Sequence, residues 1–205
     1  MKMMMKTLFA ALACVLFVAA SPLKNGYEVG DTVADFKLKN VNGKMVSLSD
    51  YASSKGVIVI FDCNTCPYSQ RYNDRILALN KKYASKGFPV VAIQPNDPTI
   101  SPGDSFDNMV KQAEKKNYDF PYLFDETQSV ATAFGATNTP HVFLLKNNGG
   151  KFTVAYIGAI DDNPKDEAGV SKRYVEDAIE ALLSSKDVPA AKTKAIGCTI
   201  KWKNA

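Results

Sequence analysis

The stretch VIVIFDCNTCPYSQRY, residues 57–72, decides how this chain is read. Gly56–Phe61 is apolar throughout rather than alternating, which predicts a strand buried on both faces. Pro67 opens a predicted helix running to about Lys86. Tyr72, Ile76, Leu79 and Tyr83 recur there at helical spacing, and Gly87 ends it. Cys63 and Cys66 stand between strand and helix. Proline is favoured at the first helical position, where its missing N–H costs nothing. That places Cys66 at the helix N-cap, facing unpaired N–H groups and the positive end of the helix dipole. Both favour thiolate over thiol, so Cys66 is the expected nucleophile. Cys63, three residues earlier, receives less of that field and is its candidate partner. The alternative is that both cysteines only fill space as small buried hydrophobes.

Working outward, the 205 residues, 46% of them hydrophobic, suffice for one well-buried core and are few for two. Residues 1–20 read as a signal peptide: Lys2 and Lys6 form a positive start, Leu8–Ala20 an apolar stretch, and Val18-Ala19-Ala20 a small-residue cleavage site. The chain is therefore expected to be exported, to a periplasm or the extracellular space, with no stable membrane insertion after cleavage. Cleavage removes Cys14 and leaves Cys63, Cys66 and Cys198. Three thiols are too few for a disulfide scaffold and fit a redox pair with one left over. Residues 186–205 carry five lysines and one aspartate. This segment is expected to be a solvated basic tail, although Ile196, Ile200 and Trp202 point to some apolar docking. A folded surface without concentrated basic charge argues against nucleic acid as a partner.

The rest of the chain alternates strand and helix. Phe36–Leu38 and Met45–Leu48 flank an Asn42-Gly43 turn and form a predicted hairpin. Val90–Gln94, Tyr122–Phe124, His141–Leu145 and Phe152–Ile157 read as strands. Helices are predicted from Asp104 to about Lys116 and near 171–184. Asp125 with Gln128 suggests a capping box for another helix, closed by Gly135. The expected architecture is α/β, a mixed central sheet flanked by helices, with a leader at 1–20, a domain at 21–185 and a tail at 186–205.

Gly30-Asp31, Asp35-Phe36-Lys37-Leu38, Asn42-Gly43-Lys44-Met45-Val46-Ser47-Leu48 and the strand running into a cysteine resemble the thioredoxin-like superfamily. Within it, the chain is similar to the peroxiredoxin-like (alkyl hydroperoxide reductase/thiol-specific antioxidant) redoxin branch and to exported thiol–disulfide oxidoreductases. The resemblance implies a thioredoxin-like fold with an N-terminal β-hairpin extension. It also implies that Thr139-Pro140 is a cis peptide lying against the active cysteine and binding an extended partner chain. Two registers stay open. In one, Cys66 is the first cysteine of the motif and Ser69 takes the place of the second. In the other, Cys63 and Cys66 are themselves the dithiol. The strand's buried acid corresponds to Ile60, which leaves Asp62 to transfer protons.

The function implied is thiol–disulfide exchange, with Cys66 attacking, Cys63 or Cys198 resolving, and Thr139, Pro140 and Ser69 binding substrate. Partners would be protein thiols or disulfides, or small peroxides, with an unidentified thiol reductant for recycling; no cofactor is implied. A thiol-dependent peroxidase is the alternative. Peroxiredoxins, however, place Thr or Ser three residues before the reactive cysteine, where this chain has Cys63, and use a nearby arginine, for which Arg71 is the nearest candidate. A third reading, of another class, is Cu(I) binding by Cys63, Cys66 and His141, a soft sulfur–nitrogen set.

Overall fold

The computed structural model describes residues 26–203, so the leader read at 1–20 lies outside the described residues. The N-terminal hairpin pairs β1 (Lys37–Asn40) with β2 (Met45–Ser47). Its turn is stabilised where Asn42 Oδ1 accepts from Lys44 N–H at 3.0 Å and Gly43 takes φ 81°, a left-handed conformation open to glycine. β3 (Gly56–Phe61) is buried at every position, as its unbroken apolar run requires. It leads into α1 (Pro67–Tyr83), with Cys66 as N-cap and Pro67 at N1. The helix read as reaching Lys86 ends at Tyr83, and a 3₁₀ turn over Ala84–Lys86 completes that segment.

β4 (Val90–Gln94) and α2 (Phe106–Lys116) follow. The helix expected from Asp104 starts two residues later because Ser105 is extended; Asp104 lies in a separate 3₁₀ turn, Pro102–Asp104. Next come β5 (Tyr122–Phe124) and α3 (Ser129–Phe134), closed by Gly135 as read. The capping box read there does not form. Asp125 accepts from the Ala131 N–H at 2.7 Å, while the Gln128 side chain turns away to the Pro95 and Lys201 carbonyls. β6 (Asn138–Thr139), β7 (His141–Asn148), β8 (Lys151–Gly158), α4 (Tyr174–Leu183) and β9 (Cys198–Thr199) complete the chain.

The main sheet has the order β2-β1-β5-β4-β3-β7-β8. β3, β4 and β5 run parallel and the other pairings are antiparallel, giving the mixed sheet expected. Alternate residues of β3 serve two cores. Ile58 and Ile60 meet Tyr72, Ile76 and Leu79 of α1 and Val175 and Ile179 of α4. Val57, Val59 and Phe61 meet Val130 and Phe134 of α3, with Val33, Leu48 and Ile200. This is a thioredoxin-like α/β fold. No helix among the described residues is long and apolar enough to cross a membrane.

The C-terminal segment is not the solvated extension expected of its charge. Ile157 N–H bonds the Ala191 carbonyl, β9 pairs with β6, and Ile200 is buried in the second core. Buried Ile200, with Trp202 packed beside it, outweighs the solvation of lysines whose ammonium heads stay in water.

Candidate active site

The carboxyl end of β3, the start of α1 and the β6–β7 junction bring together the chemistry-bearing side chains. Cys66 occupies the N-cap of α1 and is 2% exposed; Cys63, in the loop before it, is 4% exposed. Thr139 binds both. Its carbonyl oxygen lies 3.1 Å from Cys66 Sγ, accepting from the protonated thiol, and its hydroxyl lies 3.1 Å from Cys63 Sγ. The Thr139–Pro140 peptide is cis. Cys63, Cys66 and Cys198 are unbridged.

The thiols differ sharply in acidity. A hydrogen bond from the Cys63 thiol, with contributions from the Cys198 thiol and amide and the Ser69 N–H, lowers Cys66 to about 4 against the penalty of its burial. The start of α1 supplies the same sign of field. Donating to Cys66 and burial push Cys63 well above the ordinary thiol range. Burial and the Cys66 sulfur raise Cys198 to about 11. Cys66 is thus the most acidic of the three thiols.

Asp62 precedes Cys63 and is buried, which raises its carboxyl to about 7, although the Ser69 hydroxyl and the Cys63 N–H act the other way. Its Oδ1 has no hydrogen-bond partner among the described residues. Ser69, read as substrate-binding, is buried on Asp62, with its hydroxyl 4.0 Å from Cys63 Sγ.

Asp104 had no assigned part in the sequence reading, yet it holds the cysteine loop. Its fully buried carboxylate accepts from Asn64 N–H (2.8 Å), Thr65 N–H (3.0 Å) and the Thr65 hydroxyl (2.8 Å). It also accepts from Asn96 Nδ2 at 2.8 Å and the Ser101 hydroxyl at 2.6 Å. Asn96 Oδ1 in turn accepts from the Lys201 N–H at 2.9 Å, which ties the cysteine loop to the tail. No local pattern signals this role, since its partners on the cysteine loop, Asn64 and Thr65, lie about forty positions away.

The tail stands where the resemblance put a partner chain. Cys198 pairs opposite Thr139 and Thr199 opposite Asn138, so the main-chain edge beside Pro140 is filled by the chain itself. His141 is not part of the cysteine cluster. Its Nδ1 accepts from the Thr137 N–H at 3.3 Å, and it lines a cleft with Tyr27, Phe143 and Lys192. Burial and Lys192 lower it to about 4. Among the described residues no group of three His, Cys, Asp or Glu is placed to hold a metal ion, so the Cu(I) set does not assemble. The first residue of β7 points its ring to the face opposite α1, and that separates it from the thiols.

The arginines lie elsewhere too. Arg71 is exposed with its guanidinium 5.8 Å from the Tyr68 ring, and Arg75 is buried on Asp161 at 2.6 Å. Arg173 reaches toward Glu167 and Glu176 on the surface.

Residues 29–155 match the AhpC/TSA family. The chain is 29% identical over 142 residues to the thiol-disulfide oxidoreductase ResA of Geobacillus thermodenitrificans, covering 69% of this chain and 77% of that protein. An uncharacterised conserved protein from Geobacillus kaustophilus superposes with a TM-score of 0.81 at 37% identity, covering 88% of this chain and 95% of its own. A hypothetical protein from Sinorhizobium meliloti 1021 does so with 0.80 at 32% identity, covering 88% and 98%. With a cysteine at a helix N-terminus, a cis Thr-Pro against it and a family match through most of the domain, this chain belongs to the AhpC/TSA family of the thioredoxin-like superfamily.

Proposed function

We propose that Cys66 is the attacking thiol of a thiol–disulfide exchange and Cys63 its first resolving partner. The chain is an oxidoreductase acting on thiols and disulfides. The observation that carries the assignment of roles is the placement of Cys66 at the N-cap of α1, 3.1 Å from the carbonyl of the cis Thr139–Pro140 peptide, with Cys63 in the loop before it. The lowered pKa of Cys66 and the raised one of Cys63 run the same way. The Cys66 thiolate attacks one sulfur of a substrate disulfide, and the other sulfur leaves as a thiolate that takes a proton from water. Cys63 then gives its proton to the neighbouring Asp62 carboxylate and attacks the Cys66 sulfur, releasing the second substrate sulfur as a thiolate that takes a proton from water. The substrate gains two electrons and Cys63–Cys66 becomes the disulfide, which a thiol reductant resets.

Exchange is favoured over peroxide reduction because Cys63 replaces the expected hydroxyl and no guanidinium is bonded to a site cysteine among the described residues. A leaving hydroxide would lack that stabilisation. The leader at residues 1–20 supports export, and the proposed division keeps a domain at 21–185 and a tail at 186–205.

The test uses a Cys198→Ser background to keep the third thiol out. There, Cys66→Ser abolishes exchange, whereas Cys63→Ser accumulates a substrate adduct on Cys66 visible in the intact mass. Full activity in Cys66→Ser with Cys63 essential would reverse the two roles.

A further inference from the structure

The tail that fills the edge of β6 is seated as a bound peptide would be, and its seat discriminates between side chains. At position 197 only glycine fits, since a Cβ would stand 2.2 Å from the Thr139 carbonyl oxygen and 2.6 Å from its carbon, both backbone atoms. At 198 the cysteine stands opposite Thr139, whose carbonyl oxygen lies 3.1 Å from Cys66 Sγ. Thr199 is exposed and its side chain is not selected. At 200 the isoleucine is 4% exposed in the cluster with Val130, Phe134 and Ala136, and its N–H donates to the Thr137 carbonyl at 3.1 Å.

We infer that the Asn138–Thr139 edge recognises extended polypeptides carrying the pattern Gly-Cys-x-aliphatic, and that the tail is its built-in occupant, competing with such partners for Cys66. The inference rests on Cys66 as the attacking thiol. Strand addition supplies affinity through main-chain bonds, and the side-chain seats supply selectivity. The paired register brings the residue opposite Thr139 to Cys66, which is where a partner's sulfur has to lie. With the tail seated, Cys66 is almost wholly covered, so a partner strand takes its place rather than adding beside it. The tail's other anchors lie on both sides of the pattern. Before it, the Ile157 N–H bonds the Ala191 carbonyl and the Thr193 N–H the Ile157 carbonyl. After it, the Lys201 carbonyl accepts from Asp97 N–H (2.9 Å) and Gln128 Nε2 (2.8 Å), and the Lys203 N–H donates to Gln128 Oε1 at 2.7 Å. These hold the intramolecular strand in place without contributing to the selection. When a partner cysteine is joined in a disulfide to a second thiol, the Cys66 thiolate attacks the partner's sulfur. The Cys66–partner bond forms, the old S–S bond breaks, and the second thiolate departs with its electron pair and takes a proton from water.

The experiment uses the full chain carrying Cys198→Ser and an octapeptide of residues 195–202 whose cysteine is joined to 5-thio-2-nitrobenzoate. Release of the coloured thiol is timed for this peptide, for the same peptide with Gly197→Val or Ile200→Asp, and for the corresponding glutathione derivative. The parent peptide should react about tenfold faster than the other three. Placing Gly197→Val in the protein itself should speed the parent peptide further by loosening the tail. Ile200→Asp in the protein is the second such variant should the first fail to fold. Equal rates for all four disulfides, unchanged by a loosened tail, would overturn the recognition while leaving the exchange chemistry intact. Failure of Cys66 to react with any of them would overturn the exchange reading and this inference with it.

Discussion

Asp62 carries an unsatisfied carboxylate oxygen under the cysteines, and it contributes to the pH dependence of stability. Its ordinary value of 3.8 rises to about 7 in the fold, so the folded chain binds this proton more tightly than the unfolded chain. The associated stability is fully present below the unfolded value and is lost as pH rises through about 7. A shift of this size corresponds to roughly 4 kcal/mol, of which about 2.5 kcal/mol falls between pH 5 and pH 8. Urea unfolding at pH 5 and pH 8 should show Asp62→Asn gaining about that much on the wild type at the higher pH. His141 and Cys66, whose folded values are lowered, run with the opposite sign and largely cancel in the comparison of the two proteins. The same pH dependence in both would remove Asp62 from the account. In sequence, Asp62 was legible only as the acid nearest to Ile60; that it is buried with one oxygen unpartnered among the described residues is a product of packing.

The cysteine loop and α1 form the element on which the proposed chemistry rests. Its local half was legible, since Cys66-Pro67 specifies an N-cap and N1 through the geometry of adjacent residues. Its other half was not. Asp104 read as the start of a helix, but extended backbone at Ser105 frees it to turn its carboxylate to Asn64 and Thr65. Asp104→Ala strands buried donors on the loop, on Asn96 and on Ser101, and should cost about 3 kcal/mol in urea unfolding. Asp104→Asn, which keeps one acceptor oxygen, should cost less. A loss under about 1 kcal/mol for the alanine variant would mean that water replaces the carboxylate there.

Across the whole molecule, the end of the sheet is joined to α1 by a buried ion pair. Arg75 reaches Asp161, which follows β8, at 2.6 Å and the Asn163 carbonyl at 2.9 Å, while the Tyr72 hydroxyl donates to the other Asp161 oxygen at 2.8 Å. Removing one partner leaves the other charge buried, so Arg75→Ala should destabilise by roughly 3–5 kcal/mol. Arg75→Met with Asp161→Leu should recover most of that. Calorimetric or urea measurement of the three proteins decides it, and a single variant as stable as wild type would refute the pair's role. The same contact explains why this arginine is absent from the thiols.

By itself the sequence determined what neighbouring residues can specify: the doubly buried β3 and β4, the Asn42-Gly43 hairpin, and a cysteine at a helix N-terminus. These follow from strand and helix periods and from end effects that act over two to four positions. Only the tertiary structure decided that β9 lies on β6, that Asp104 and Asn96 tie the cysteine loop to the tail, and that His141 faces away from the thiols. Those contacts join residues far apart in the chain or depend on which face of a strand meets which core. No local propensity encodes them; they arise when apolar faces such as that of Ile200 find their seats and carry the neighbouring polar groups into register.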